Sequence, residues 1–159
     1  MPNLIPAYID WLRTVDWNIE FSPNFLPDIS RERAQRILDN FLYKVDCAVH
    51  GKGGDEMPKK HVVRACFLEG HANSQNFHYH CAVQVPRLEN ETAEQHLDRM
   101  LEFCAFLKAL WKKETAAGHH TSCEPIRSYD GYTVYICKKV IAGSFCEVTT
   151  RLTNTAFLE

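Results

Sequence analysis

The chain has 159 residues and a mass of 18.4 kDa, the length of one domain, and a chain of that size folds over a core without needing disulfides or a structural metal. Its 45% hydrophobic, 24% charged and 11% aromatic content excludes a disordered, collagen-like or membrane-embedded chain. Eighteen Lys and Arg against twenty Asp and Glu leave a net charge of -2, which excludes a strongly basic nucleic-acid coat and leaves room for a local basic patch.

The segment Met1 to Asp10 holds too few apolar residues for a signal peptide, and no window approaches a membrane span, so a protein that is not secreted is expected. In Asp16-Trp-Asn-Ile-Glu-Phe-Ser22 the apolar Trp17, Ile19 and Phe21 alternate with polar residues, which predicts a half-buried strand ended by Ser22-Pro-Asn24. Ser30 is a good N-cap. Behind it Ala34, Ile37, Leu38, Phe41, Leu42, Val45 and Val49 recur at helical spacing until Gly51, predicting a long amphipathic helix. The loop Gly51-Lys-Gly-Gly-Asp55 lacks the G-x-x-x-x-G-K-[ST] spacing of a nucleotide phosphate loop.

Residues 62–69 and 77–85 are rich in β-branched and aromatic side chains and read as two antiparallel strands joined by a hairpin over Gly70 to Asn76. Asn90 can cap a second helix whose apolar stripe is Leu97, Met100, Leu101, Cys104, Leu107, Leu110 and Trp111, with Gly118 as its stop. Residues 121–126 suit a fourth strand. From Tyr129 to Ala142 the composition favours a strand, while Asp130-Gly131 and Gly143 could equally bound a helix. In a helix Tyr135 shares a face with Lys138 and Lys139, whereas in a strand only Lys139 points its way.

This order predicts an α+β fold of the split-βαβ, ferredoxin-like or RRM-like kind: an antiparallel sheet of about five strands with two long helices on one face and the other face free for a site. No repeat or linker divides residues 1–159 into two domains. Seven scattered cysteines with no C-x-x-C pair read as buried thiols of a reducing cytosol or nucleus.

His78-Tyr79-His80 is the sharpest local feature. On a strand the two imidazoles project from one face while Tyr79, Cys81, Val83 and Val85 project from the other. Two such imidazoles are half of a divalent-metal site, and Glu69, at the end of the preceding strand, can complete it. Spacing alone fits solvated strand-start histidines equally well. Tyr135-Ile-Cys-Lys138 is the second feature. A phenol with an ordinary pKa near 10 becomes a nucleophile only beside a polarised electrophile or a cation, and otherwise this string is a packing aromatic followed by a surface lysine.

Taken together and in order, Glu69, His78-Tyr-His80 and a downstream Y-x-x-K resemble the three motifs of the HUH endonucleases, and within that superfamily the rolling-circle replication initiators of small viruses, phages and plasmids. The resemblance runs from about Trp17 to Val140, with Trp17 to Ser22 in the place of the first motif strand. It implies a single nuclease domain over residues 1–159, of a kind often joined to a helicase, in the cytoplasm of a bacterial host or the nucleus of a eukaryotic one. Glu69, His78 and His80 would hold Mg²⁺ or Mn²⁺, Tyr135 would attack a scissile phosphate to leave a 5′-phosphotyrosine and a 3′-hydroxyl, and Lys138 would neutralise phosphate charge. Tyr132 is the alternative nucleophile.

The implied partner is single-stranded DNA or an origin stem-loop, together with host replication proteins or a helicase. Lys59, Lys60, Arg64, Arg127, Lys139 and Arg151 are its candidate contacts; Lys112 and Lys113 read as a solvated face. His61, His71, His96, His119 and His120 match no family position. Two other readings stay open: a single-tyrosine transposase of the same superfamily, and a non-catalytic binding module in which Phe67, Phe77 and Tyr79 stack bases. A zinc site on Cys66, His78, His80 and Cys81 is disfavoured because Cys81 points away from the histidines.

Overall fold

The structure is a computed structural model that describes residues 10–25, 28–69, 78–115, 121–128, 131–132, 135–136 and 146–148, with backbone alone for Glu69 and 146–148. Its strands are β1 (Ile19–Ser22), β2 (Arg64–Glu69), β3 (His78–Val83), β4 (Ser122–Pro125) and β5 (Cys146–Val148), and its long helices are α1 (Arg31–His50) and α2 (Ala93–Thr115). This is an α+β protein: a four-stranded antiparallel sheet in the order β2-β3-β1-β4 packs against the two helices. β5 pairs antiparallel with the outer edge of β2.

α1 begins where Ser30 Oγ accepts the Arg33 N–H at 3.2 Å, satisfying one of the donors a helix start leaves bare. It ends at Gly51, whose φ of 74° lets its N–H turn back to the Cys47 carbonyl at 2.9 Å. Both ends match the expectation. The cap of α2 differs from it. Thr92, not Asn90, closes the helix: Thr92 Oγ1 accepts the Gln95 N–H at 3.1 Å and the Thr92 N–H donates to Gln95 Oε1 at 2.9 Å, a reciprocal capping box. Asn90 instead takes a left-handed turn position, with φ of 63°.

One face of the sheet carries Ile19, Phe21, Cys66, Leu68, Tyr79, Cys81, Val83 and Cys123 into the core with Leu38, Phe41 and Val45 of α1 and Cys104, Leu107 and Trp111 of α2. Leu97 and Leu101, expected in that stripe, are exposed, and Met100, Cys104, Leu107, Leu110 and Trp111 carry the contact of α2 with the core. Lys44 pairs with Glu114, tying the helices together.

The opposite face is not wholly open. Trp11, Leu12, Trp17, Tyr132 and Ile136 form a second, smaller core over Ala65, Phe67 and Ala82. Two alanines on adjacent strands leave room for that layer. Trp17 belongs to it because the strand starts only at Ile19, so the alternation expected from Trp17 onward begins two residues late; its indole N–H is held by the Leu12 carbonyl at 2.7 Å. In the ambiguous segment, the described residues 131–132 and 135–136 are helical. Ser128 explains the outcome: its Oγ accepts the Gly131 N–H at 3.3 Å and its carbonyl accepts the Tyr132 N–H at 2.9 Å. The expected hairpin over Gly70 to Asn76 and the stop at Gly118 lie outside the described residues.

Cys66, Cys81, Cys104 and Cys123 are buried and Cys47 is half-buried, and none of the five is in a disulfide. Among the described residues no helix is long and apolar enough to cross a membrane.

Candidate functional site

Strand alternation puts His78 and His80 on the face away from the helices, since Tyr79 and Cys81 enter the main core. The second core covers that face as far as Ala82 and Phe67; His80 is level with Phe67 and partly buried at its edge, and His78 stands exposed beyond it. Register then decides their neighbours. On β2, Phe67 is opposite His80 and Glu69 is opposite His78. On the β1 side, Asn24 bridges to His78, and Ser22 stands one step beyond the Phe21–Cys81 pair, level with His80.

The polar contacts follow that register. His80 Nδ1 is 3.1 Å from Ser22 Oγ, and the Ser22 hydroxyl donates to Glu20 Oε1 at 3.3 Å. Glu20 Oε1 is itself 3.9 Å from His80 Nδ1, and His78 Nδ1 is 3.2 Å from Asn24 Oδ1. A serine, a histidine and a glutamate so close invite comparison with a hydrolytic triad, but Ser22 and Glu20 both address Nδ1. A triad needs the serine and the acid on different ring nitrogens.

The two tyrosines separate cleanly. Tyr135 is 53% exposed and its ring meets the His80 ring edge-on, with centroids 5.9 Å apart and planes at 87°. Tyr132, one turn earlier, is 7% exposed, and its hydroxyl has no hydrogen-bond partner among the described residues. Burial, reinforced by the negative charge of Glu20, pushes the Tyr132 phenol well above its ordinary value.

Beside the site lies a cleft of about 330 Å³ lined by Glu20, Glu124, Arg127, Ser128 and Tyr132. Glu20 and Glu124 are directly opposite in the β1–β4 register, so two carboxylates line it with the guanidinium of Arg127. Of the expected DNA contacts, Arg127 is therefore next to the site. Arg64 is not: it is 8% exposed on the helix side of the sheet, its guanidinium bound to the buried Asp46 at 2.7 Å. Arg64 is also five residues from Glu69 along β2, about 17 Å at strand rise, and exposed Lys59 and Lys60 precede it at that far end. Lys138, Lys139 and Arg151 lie outside the described residues. Tyr79 is fully buried in the main core and Phe67 is buried under the second, so neither is placed to stack a base; Phe77 is outside the described residues.

Sequence reading missed Glu20, Ser22 and Asn24. The available signal was alternation itself: with Ile19 and Phe21 turned inward, the polar residues between and after them face the site. Of the histidines that match no family position, His61 is exposed and meets Asp46 at 2.8 Å, while His96 is largely buried and meets Glu91 at 3.1 Å.

Among the described residues, no group of three or more His, Cys, Asp or Glu side chains is gathered closely enough to hold a metal ion; the Glu69 side chain is not among them. The donors present still fit a divalent cation in kind. Both imidazoles meet a side-chain oxygen through Nδ1, the arrangement that turns the other ring nitrogen of a histidine toward a metal. Comparison with known proteins finds no matching family model, no matching curated protein and no matching solved structure.

Proposed function

We propose that this chain is a metal-dependent endonuclease that nicks and rejoins single-stranded DNA through a phosphotyrosine, as HUH replication initiators do. The observation that carries the reading is the placement of an exposed Tyr135 against His80, on the open part of a sheet face where His78 is in register with Glu69. The strand order β4-β1-β3-β2 with helices on one face is what a split-βαβ fold requires, and it supports the same reading.

In this account His78, His80 and Glu69 would hold Mg²⁺ or Mn²⁺, and the ion would supply stabilisation of the charge developing on the scissile phosphate. Tyr135 Oη, exposed to solvent, gives its proton to water and attacks phosphorus in line. The bond to the 3′-oxygen breaks, that oxygen takes up a proton, and the 5′-phosphate stays on the tyrosine as an ester. Because one phosphate ester has replaced another, a returning 3′-hydroxyl reverses the step, so joining is as natural as cutting. Lys138, downstream in the Y-x-x-K string, neutralises phosphate charge, and Arg127 meets the backbone of the strand from the neighbouring cleft. The substrate is a single strand or an extruded origin loop, delivered by replication proteins or a helicase.

The test is a denaturing gel of a labelled single-stranded oligonucleotide pool with Mn²⁺ or with EDTA. A nick that needs Mn²⁺ and is lost in His80→Ala is expected. Binding of the pool with no cutting under any condition would replace the enzyme with a binding module.

A further inference from the structure

The side of β1 that faces the site carries Glu20, Ser22 and, just past its end, Asn24, and the β1–β3 register sets the last two against His80 and His78. A neutral imidazole has two tautomers, and which nitrogen keeps the proton depends on what each nitrogen meets. A carboxylate can only accept. Glu20 therefore takes the Ser22 hydroxyl proton at 3.3 Å, and Ser22 Oγ is left to accept from His80 Nδ1 at 3.1 Å. The direction of the chain is fixed from its acidic end. Asn24 Oδ1, at 3.2 Å from His78 Nδ1, is likewise an acceptor only. Asn24 is held in turn by α2, where the buried Trp111 indole donates to its carbonyl at 3.1 Å.

We infer that Ser22, Asn24 and Glu20 are positioning residues that keep both histidines protonated on Nδ1, so that each turns Nε2 toward a divalent cation. The inference rests on the metal-dependent reading above, and it gives β1 a role that neither the H-x-H string nor the tyrosine reveals. Ser22 serves as a strut: its proton is committed to Glu20, away from any substrate. One helix and two strands thus determine the direction of two ring nitrogens, and removing a strut frees a ring without removing a ligand.

The test is Mn²⁺ titration of the intact chain, reading free Mn²⁺ by its electron paramagnetic resonance signal, with unfolding midpoints recorded for each variant. Outer partners of metal-bound histidines typically contribute about 10–100-fold in metal affinity. Ser22→Ala, Glu20→Gln and Asn24→Ala should each weaken Mn²⁺ binding by about that factor at an unchanged midpoint, and Ser22→Thr, which keeps the hydroxyl, should restore it. Nitrogen NMR of the metal-free protein should show His80 protonated on Nδ1 in the parent and on a mixture of nitrogens in Ser22→Ala. Equal Mn²⁺ affinity in parent and variants would overturn the positioning role and leave the metal reading standing. Failure of the parent chain to bind Mn²⁺ would overturn the metal reading and this inference with it.

Discussion

Tyr132 and Tyr135 are three residues apart, yet they meet opposite surroundings. A buried phenol whose ionisation is opposed by burial and by the charge of Glu20 is a poor nucleophile, whereas an exposed one against an imidazole can reach a substrate. Tyr132→Phe should therefore leave nicking intact. It also removes a buried hydroxyl with no partner among the described residues, and such an unsatisfied group costs about 1–3 kcal/mol, so urea unfolding should find the variant no less stable than the parent. The sequence showed Tyr135 and Tyr132 as candidates but could not separate them by environment. Tyr132 belongs to the core built over Ala65 and Ala82, residues remote in sequence, and Tyr135 stands outside it. Strand alternation, by contrast, was enough to put His78 and His80 on one face and Cys81 on the other.

The elements show the same division between local and remote causes. Ser30 and Gly51 bracket α1 by contacts within one turn, and both are legible in the chain. The partner of Arg64 was not legible, because Asp46 lies 18 residues earlier on α1. Asp46 is 1% exposed and collects the Val62 N–H at 2.8 Å, His61 at 2.8 Å and Arg64 at 2.7 Å. Asp46→Ala would take a buried carboxylate away from the Arg64 guanidinium, and removing one partner of such a pair costs about 3–5 kcal/mol; a denaturant midpoint close to the parent's would refute the clamp. Before α2, Glu91 receives the Leu88 N–H at 3.0 Å and meets Arg99 at 2.9 Å. Burial works to raise this carboxyl, and the Leu88 amide with Arg99 and His96 outweighs it, so the group sits below its ordinary 4.5. A depressed carboxyl stabilises the fold above its unfolded-state value and loses that contribution as pH falls through the folded one. Glu91→Gln should flatten the stability profile on the acid side of about 4.5 and change its shape little at neutral pH.

At the scale of the molecule, the two faces of the sheet do different work. One is sealed by two helices; among the described residues the other is covered in part by a small aromatic core, and the candidate site is at that core's edge. The near-neutral charge and the remote position of Lys59 and Lys60 mean that the described surface offers a strand little beyond Arg127 near the tyrosine, beside two carboxylates. Affinity for an arbitrary single strand should accordingly be modest and shallow in its salt dependence, since each neutralised phosphate adds only about 0.7 to the slope on single strands. Under the proposed function such a site would select its substrate by sequence or shape and act on it through Tyr135. The direct measurement is peptide mass spectrometry of the chain after incubation with a cleavable single-stranded oligonucleotide and Mn²⁺. A nucleotide phosphate carried on Tyr135, absent from Tyr135→Phe and retained in Tyr132→Phe, is the predicted result. Cleavage that persists in Tyr135→Phe, or an adduct on any other residue, would contradict it.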